Sequence, residues 1–212
     1  MSTIKKIIKI LEQETKSYTP TLITQIIKEY GKDPFLILIC CLLSLRSKDI
    51  VTIHACRELL KFAKTPQEIL NIPQAQLEKI IFKIGFYRNK AKVLHKVSEA
   101  ILQKHNGKVP NNLEDLLNLP GVGQKTANLV LGLAFDVPSI CVDIHVHRIS
   151  NRLGLVSTKT PAETEVELKK IIPKENWIEF NDLLVKWGQN ICTPTSPWCN
   201  KCAIKQFCKR IG

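Results

Sequence analysis

The chain has 212 residues, 44% of them apolar, which is enough to bury a core in one large domain or two small ones and too apolar for a disordered protein. Lys and Arg number 31 against 19 Asp and Glu, a formal net charge of +12 that favours a polyanion such as nucleic acid as partner. The longest apolar stretch, Phe35 to Leu43, is too short for a bilayer, which needs ~20 residues.

The first element is an amphipathic helix, because Ile4, Ile7, Ile8 and Leu11 recur at helical spacing. Lys5, Lys6 and Lys9 alternate with these isoleucines, and Glu12 and Glu14 soon interrupt them. No small-residue cleavage site follows, so the opening does not read as a secretion signal. Thr19-Pro20 has the form of an N-cap with proline at the first helical position, and predicts a second helix carrying Leu22, Ile23, Ile26 and Ile27. Asp33-Pro34 opens a third in the same way, and its apolar residues on all sides mark it as buried. Thr65-Pro66-Gln67-Glu68 and Thr160-Pro161-Ala162-Glu163 are capping boxes with proline inserted. Gly85, Gly107 and Gly154 end periodic stretches and read as C-terminal stops. Strand alternation is nowhere sustained. The expectation is an all-α protein of roughly ten helices joined by short connections.

A short helix over 112–119 runs into Pro120, Gly121, Val122 and Gly123, and a second helix starts at Gln124. Two glycines here permit positive φ and close backbone approach, and helix-start N–H groups suit a phosphate. Lys125 falls in the first turn of that second helix. An amine there opposes the positive end of the helix dipole, which favours the neutral, nucleophilic form. Eighteen residues on, Asp143 precedes the helical pattern Ile144, Val146, Ile149, Leu153. It suits an N-cap, and capping would fix its carboxylate in space. His145, His147 and Arg148 follow. Two histidines at i, i+2 face different sides of a helix, so they read as packing or phosphate contacts rather than metal ligands.

Cys192, Cys199, Cys202 and Cys208 form C-x6-C-x2-C-x5-C in a polar segment with Pro194 and Pro197. Four thiolates so close together can enclose one metal centre, and spacing alone leaves open iron–sulfur or zinc. Cys40, Cys41, Cys56 and Cys141 lie in apolar surroundings and read as small core residues.

The hairpin LPGVGQKTAN, the segment VDIHVHR and the cysteine spacing together resemble the endonuclease III family of the helix-hairpin-helix superfamily. The resemblance covers nearly the whole chain. It implies an all-α fold with a six-helix barrel domain over 27–137 that contains the hairpin. It also implies a [4Fe–4S] domain built from 1–26 and 138–212, with Cys192, Cys199, Cys202 and Cys208 as ligands. The implied activity is base excision repair: removal of oxidised pyrimidines from duplex DNA, then β-elimination at the abasic site. Lys125 would be the nucleophile and Asp143 its electrostatic or basic assistant. Pro120, Gly121, Val122, Gly123, Gln124 and His145 would contact DNA. The implied partner is double-stranded DNA with damaged bases or abasic sites, bound by a monomeric, cytoplasmic, nucleoid-associated protein.

The chain departs from the family pattern in three places. Arg46 stands where many relatives carry a glutamine thought to fill the gap left by the flipped nucleotide, and Phe86 stands where many carry an apolar leucine wedge. The loop between Cys192 and Cys199 lacks basic residues, and positive charge falls instead at Lys201, Lys205, Lys209 and Arg210. Two other readings stand beside the first. One is a monofunctional mismatch glycosylase, whose relatives lack lysine at the Lys125 position. The other is a non-catalytic DNA-binding protein.

Overall fold

A computed structural model of the chain describes residues 2–209; Arg210, singled out above for its charge, lies outside them. Among the described residues there are twelve α-helices and no strand. In chain order they are α1 (Thr3–Glu14), α2 (Leu22–Tyr30), α3 (Pro34–Ser44), α4 (Asp49–Leu60), α5 (Pro66–Asn71), α6 (Gln74–Ile80), α7 (Tyr87–His105), α8 (Leu113–Leu117), α9 (Gln124–Phe135), α10 (Ile144–Leu153), α11 (Pro161–Ile171) and α12 (Trp177–Asn190). They exceed the ten expected partly because Pro66 and Pro73 each open a separate short helix. Among the described residues no helix is long and apolar enough to cross a membrane.

The chain divides into two compact units. One is continuous, Leu22–Val137. The other joins Met1–Thr21 to Pro138–Gly212. The expected division at 26/27 would cut through α2, whereas the units part at 21/22, where α2 begins.

In the continuous unit, α3 is the axis. Asp33 caps it, accepting from the N–H groups of Phe35 and Leu36, and every residue from Phe35 to Leu43 is buried. A helix apolar on all sides is stable only when surrounded, and α2, α4, α7 and α9 pack around it. Cys40, Cys41 and Cys56 belong to this core. Burial pushes the Cys41 thiol up to about 12, with the Lys125 charge pulling the other way.

In the other unit, Ile4, Ile7, Ile8 and Leu11 of α1 share a core with Phe180, Leu184 and Trp187 of α12 and with Ile149 and Leu153 of α10. The extended stretch ahead of α2 belongs here too. Thr21 donates its hydroxyl to Asp182 of α12 at 2.7 Å, and α2 starts at Leu22, two residues beyond the expected proline start.

The glycine stops divide. Gly107 and Gly154 take positive φ behind α7 and α10. Gly85 does not; the left-handed residue there is Phe86, at φ 58. Gly85 lies beside the Arg46 turn, where a Cβ would make only ordinary contacts, 3.5 Å to the Arg46 carbonyl oxygen and 3.6 Å to Ser47 Oγ.

Candidate active site and nucleic-acid interface

The hairpin is held from within. Asn112 caps α8 by accepting from Asp115 N–H at 2.9 Å, and Val122 N–H donates to the Leu119 carbonyl at 3.1 Å. Val122 is buried and anchors the turn to the core, so its N–H is occupied inside the hairpin. The two glycines differ in role. Gly121 has φ +80, and a Cβ on it would come within 2.6 Å of Val93 Cγ1 on α7. Gly123 has φ −105, ordinary extended backbone, with open space where a Cβ would go. The expectation that both glycines serve positive φ therefore holds for Gly121 alone. Gly123 is the N-cap of α9 and gives the first turn no side-chain acceptor. Pro120 is half-buried, and Gly121, Gly123, Gln124 and Lys125 are exposed. Thr126, Ala127 and Asn128 behind them are buried, so α9 presents its first two side chains to solvent and sinks the next three.

Asp143 caps α10, accepting from the N–H groups of His145 and Val146, each at 2.9 Å. One carboxylate oxygen takes both bonds, which fixes the side chain. His145 is half-buried, and its Nδ1 lies 3.1 Å from Arg148 Nη2. Both residues press on α12 where it carries Gly188; a Cβ there would stand 2.4 Å from His145 Nδ1. His147 Nδ1 is 2.7 Å from Thr164 Oγ1 of α11. The VDIHVHR side chains thus do much of their work in packing α10 against its neighbours. Lys125 belongs to the continuous unit and Asp143 to the other.

All four C-terminal cysteines line one cavity of about 110 Å³, walled also by Ile149 and Leu153. Two arginines of α10 hold the loop that begins at Cys192. Arg148 donates to the Cys192 carbonyl at 2.8 Å. Arg152 donates to the carbonyls of Thr193 and Pro194, each at 2.7 Å, and lies 3.5 Å from Cys192 Sγ. Among the described residues no three His, Cys, Asp or Glu side chains close on a single ion position. Four cysteine sulfurs lining one void are a donor set able to hold an all-thiolate metal centre. Beside the cavity Trp198 is exposed, with Lys201 Nζ 5.0 Å from its ring centroid.

Arg46 and Phe86 line a second cavity of about 310 Å³ in the continuous unit, together with Lys90, Val93 and Gly121. Lys90 is the residue that reading the sequence passed over. A charged residue in register with Leu94, Val97 and Ile101 on the apolar face of α7 was the feature that could have found it.

A hairpin anchored by Val122, an exposed lysine at the helix start behind it and a four-cysteine cavity mark the candidate sites of this helical protein. Residues 39–174 match the HhH-GPD superfamily of base excision DNA repair proteins, and the chain belongs to that family. Over 177 residues it is 45% identical to endonuclease III of Thermotoga maritima, covering 84% of this chain and 83% of that one. It is 38% identical to endonuclease III of Bacillus subtilis, covering 84% and 81%. Its structure is similar to that of endonuclease III in a non-covalent DNA complex, with TM-score 0.85, 35% identity and coverage of 99% and 97%.

Proposed function

We propose that this chain is a base excision repair glycosylase that removes oxidised pyrimidines from duplex DNA and cleaves the resulting abasic site as a lyase. The observation that carries the reading is Lys125, a solvent-exposed amine in the first turn of α9, directly behind a hairpin whose buried Val122 and left-handed Gly121 fix it in place. A non-catalytic DNA-binding protein has no use for an amine opposed to the helix dipole. A monofunctional glycosylase would lack the lysine. Family membership and likeness to endonuclease III support the same class.

The Lys125 amine attacks C1′ of the deoxyribose. The C1′–N bond breaks, and the base leaves with the electron pair and takes up a proton. Loss of the amine proton opens the sugar to an imine. Loss of a proton from C2′ then expels the 3′ phosphate, and water releases the lysine. Positive charge builds on the sugar as the base departs, and the capped carboxylate of Asp143 supplies the counter-charge. The hairpin N–H groups bind the backbone, and the net charge of +12 supplies a salt-dependent affinity. Cys192, Cys199, Cys202 and Cys208 would hold a [4Fe–4S] cluster, which when bound ties the C-terminal segment together and needs no part in bond breaking.

The test is borohydride trapping on an oligonucleotide duplex with an oxidised pyrimidine. The wild type is expected to become covalently attached to DNA, and Lys125→Gln to lose both trapping and strand cleavage while still binding. Trapping by the Lys125→Gln protein assigns the nucleophile elsewhere and overturns the reading.

A further inference from the structure

Lys90 is the fourth residue of α7 and is only 8% exposed. Its Nζ donates to the Leu43 carbonyl and to Ser47 Oγ, each at 2.8 Å. The Leu43 carbonyl belongs to the last turn of α3, where carbonyls lack helical partners and the dipole favours a cation. Ser47 N–H donates to the Ser44 carbonyl at 3.1 Å, closing a tight turn that contains Arg46 in left-handed conformation, φ 54. The lysine thus grips the chain on both sides of Arg46. Its own N–H donates to the Phe86 carbonyl at 3.0 Å, and Phe86 is left-handed as well. That N–H bond is the ordinary first bond of α7, so the lysine's own contribution is its amine, which joins the turn holding Arg46 to the first turn of α7 directly after Phe86. Burial pushes the amine down to about 8, a cost that a methionine of similar shape would avoid.

We propose that Lys90 is a positioning residue for nucleotide extrusion, clamping the Arg46 turn to the start of α7 so that Arg46 and Phe86 enter the duplex as one preformed wedge. This rests on the reading of the chain as a glycosylase that fills the gap left by an extruded nucleotide. Left-handed conformations at two non-glycine residues are costly and persist only when the surroundings hold them. A wedge already in shape loses little ordering entropy when it enters the stack.

The test uses the full chain with its metal content intact, and Lys90→Met, Ser47→Ala, Arg46→Ala and Phe86→Ala. Abasic-site cleavage is measured on a single-stranded oligonucleotide, which has no gap to fill, and on the same site in a duplex with 2-aminopurine opposite it. Lys90→Met is expected to keep its single-strand rate within about twofold, lose about tenfold on the duplex and show a smaller 2-aminopurine fluorescence change. Ser47→Ala, which removes one acceptor at nearly constant volume, is expected to lose about threefold on the duplex alone. A wild-type duplex-to-single-strand ratio in Lys90→Met, or an equal fall on both substrates, overturns the positioning role. Should Lys90→Met be insoluble, an unchanged ratio in Ser47→Ala overturns it. If Arg46→Ala and Phe86→Ala also keep the wild-type ratio, the gap-filling reading itself falls; if only those two lose duplex activity, the fault lies with Lys90 alone.

Discussion

The Arg46 guanidinium lies 6.0 Å from the centroid of the Phe86 ring, and both residues hold left-handed backbone. An exposed cation–π pair of this kind contributes only about 0.5 kcal/mol to folding. Its expected importance is therefore in coupling during catalysis. In a double-mutant cycle, Arg46→Ala and Phe86→Ala are expected to add in urea unfolding. They should be strongly non-additive in duplex base release, the double variant little worse than either single one. Additive losses of activity would mean the two side chains act independently.

The hairpin glycines separate fold from recognition. Gly121→Ala forces a Cβ onto Val93 at positive φ and is expected to destabilise the protein by about 2 kcal/mol, seen as a lower urea midpoint. Gly123→Ala meets open space at extended φ and should shift stability by less than about 1 kcal/mol. Its Cβ does stand before the first turn of α9. A fall in affinity for abasic duplex at unchanged stability would place the phosphate there; unchanged affinity would remove Gly123 from the interface.

Asp143 carries a cap and a charge, and two substitutions divide them. Asparagine caps nearly as well as aspartate, so Asp143→Asn is expected to keep its thermal midpoint, whereas Asp143→Ala should lose about 1 kcal/mol. Both should slow base release far more than cleavage of a preformed abasic site. Normal base release by the stable Asp143→Asn protein would confine Asp143 to capping.

Burial lowers the Lys90 amine from 10.5 to about 8, so the unfolded chain binds that proton more tightly than the folded one. The cost of burying the charge is present in full below about 8 and is relieved as pH rises from there to the unfolded value near 10.5. Relative to Lys90→Met, the wild type should gain up to about 3 kcal/mol in urea unfolding between about pH 7 and about pH 10.5. A difference independent of pH would show that the amine is not desolvated.

The purified protein is expected to be brown, with about four iron atoms and labile sulfide per chain. Cys199→Ser should reach the insoluble fraction, because ligation supplies folding energy to a segment whose only deeply buried residue among 191–209 is Ile204. A colourless protein with stoichiometric zinc would overturn the cluster.

Helix positions were legible because capping and apolar periodicity are local: Asp33, Thr65, Asn112, Asp143 and Thr160 all cap as their residue types suggest. The α2 start was misread because the Thr21 contact with Asp182 spans 161 residues of sequence. Gly85 reads as a stop by residue type, but the left-handed turn falls on its neighbour Phe86, which glycine preference alone does not reveal. Lys125, Asp143 and the cysteine set stand out by chemistry and spacing. Lys90 does not, because its acceptors are a carbonyl and a hydroxyl more than forty positions away.

The discontinuous unit imposes an order on biosynthesis. The apolar face of α1, Ile4, Ile7, Ile8 and Leu11, leaves the ribosome ahead of its partners Phe180, Leu184 and Trp187. At elongation rates of about 5–20 residues per second, that face waits roughly ten seconds or more for them. The Leu22–Val137 unit is complete within the interval and can fold first. A nascent chain stalled once Val137 has cleared the ribosome but before α12 is made should therefore hold a protease-resistant central body and an N-terminal helix whose apolar face is still uncovered.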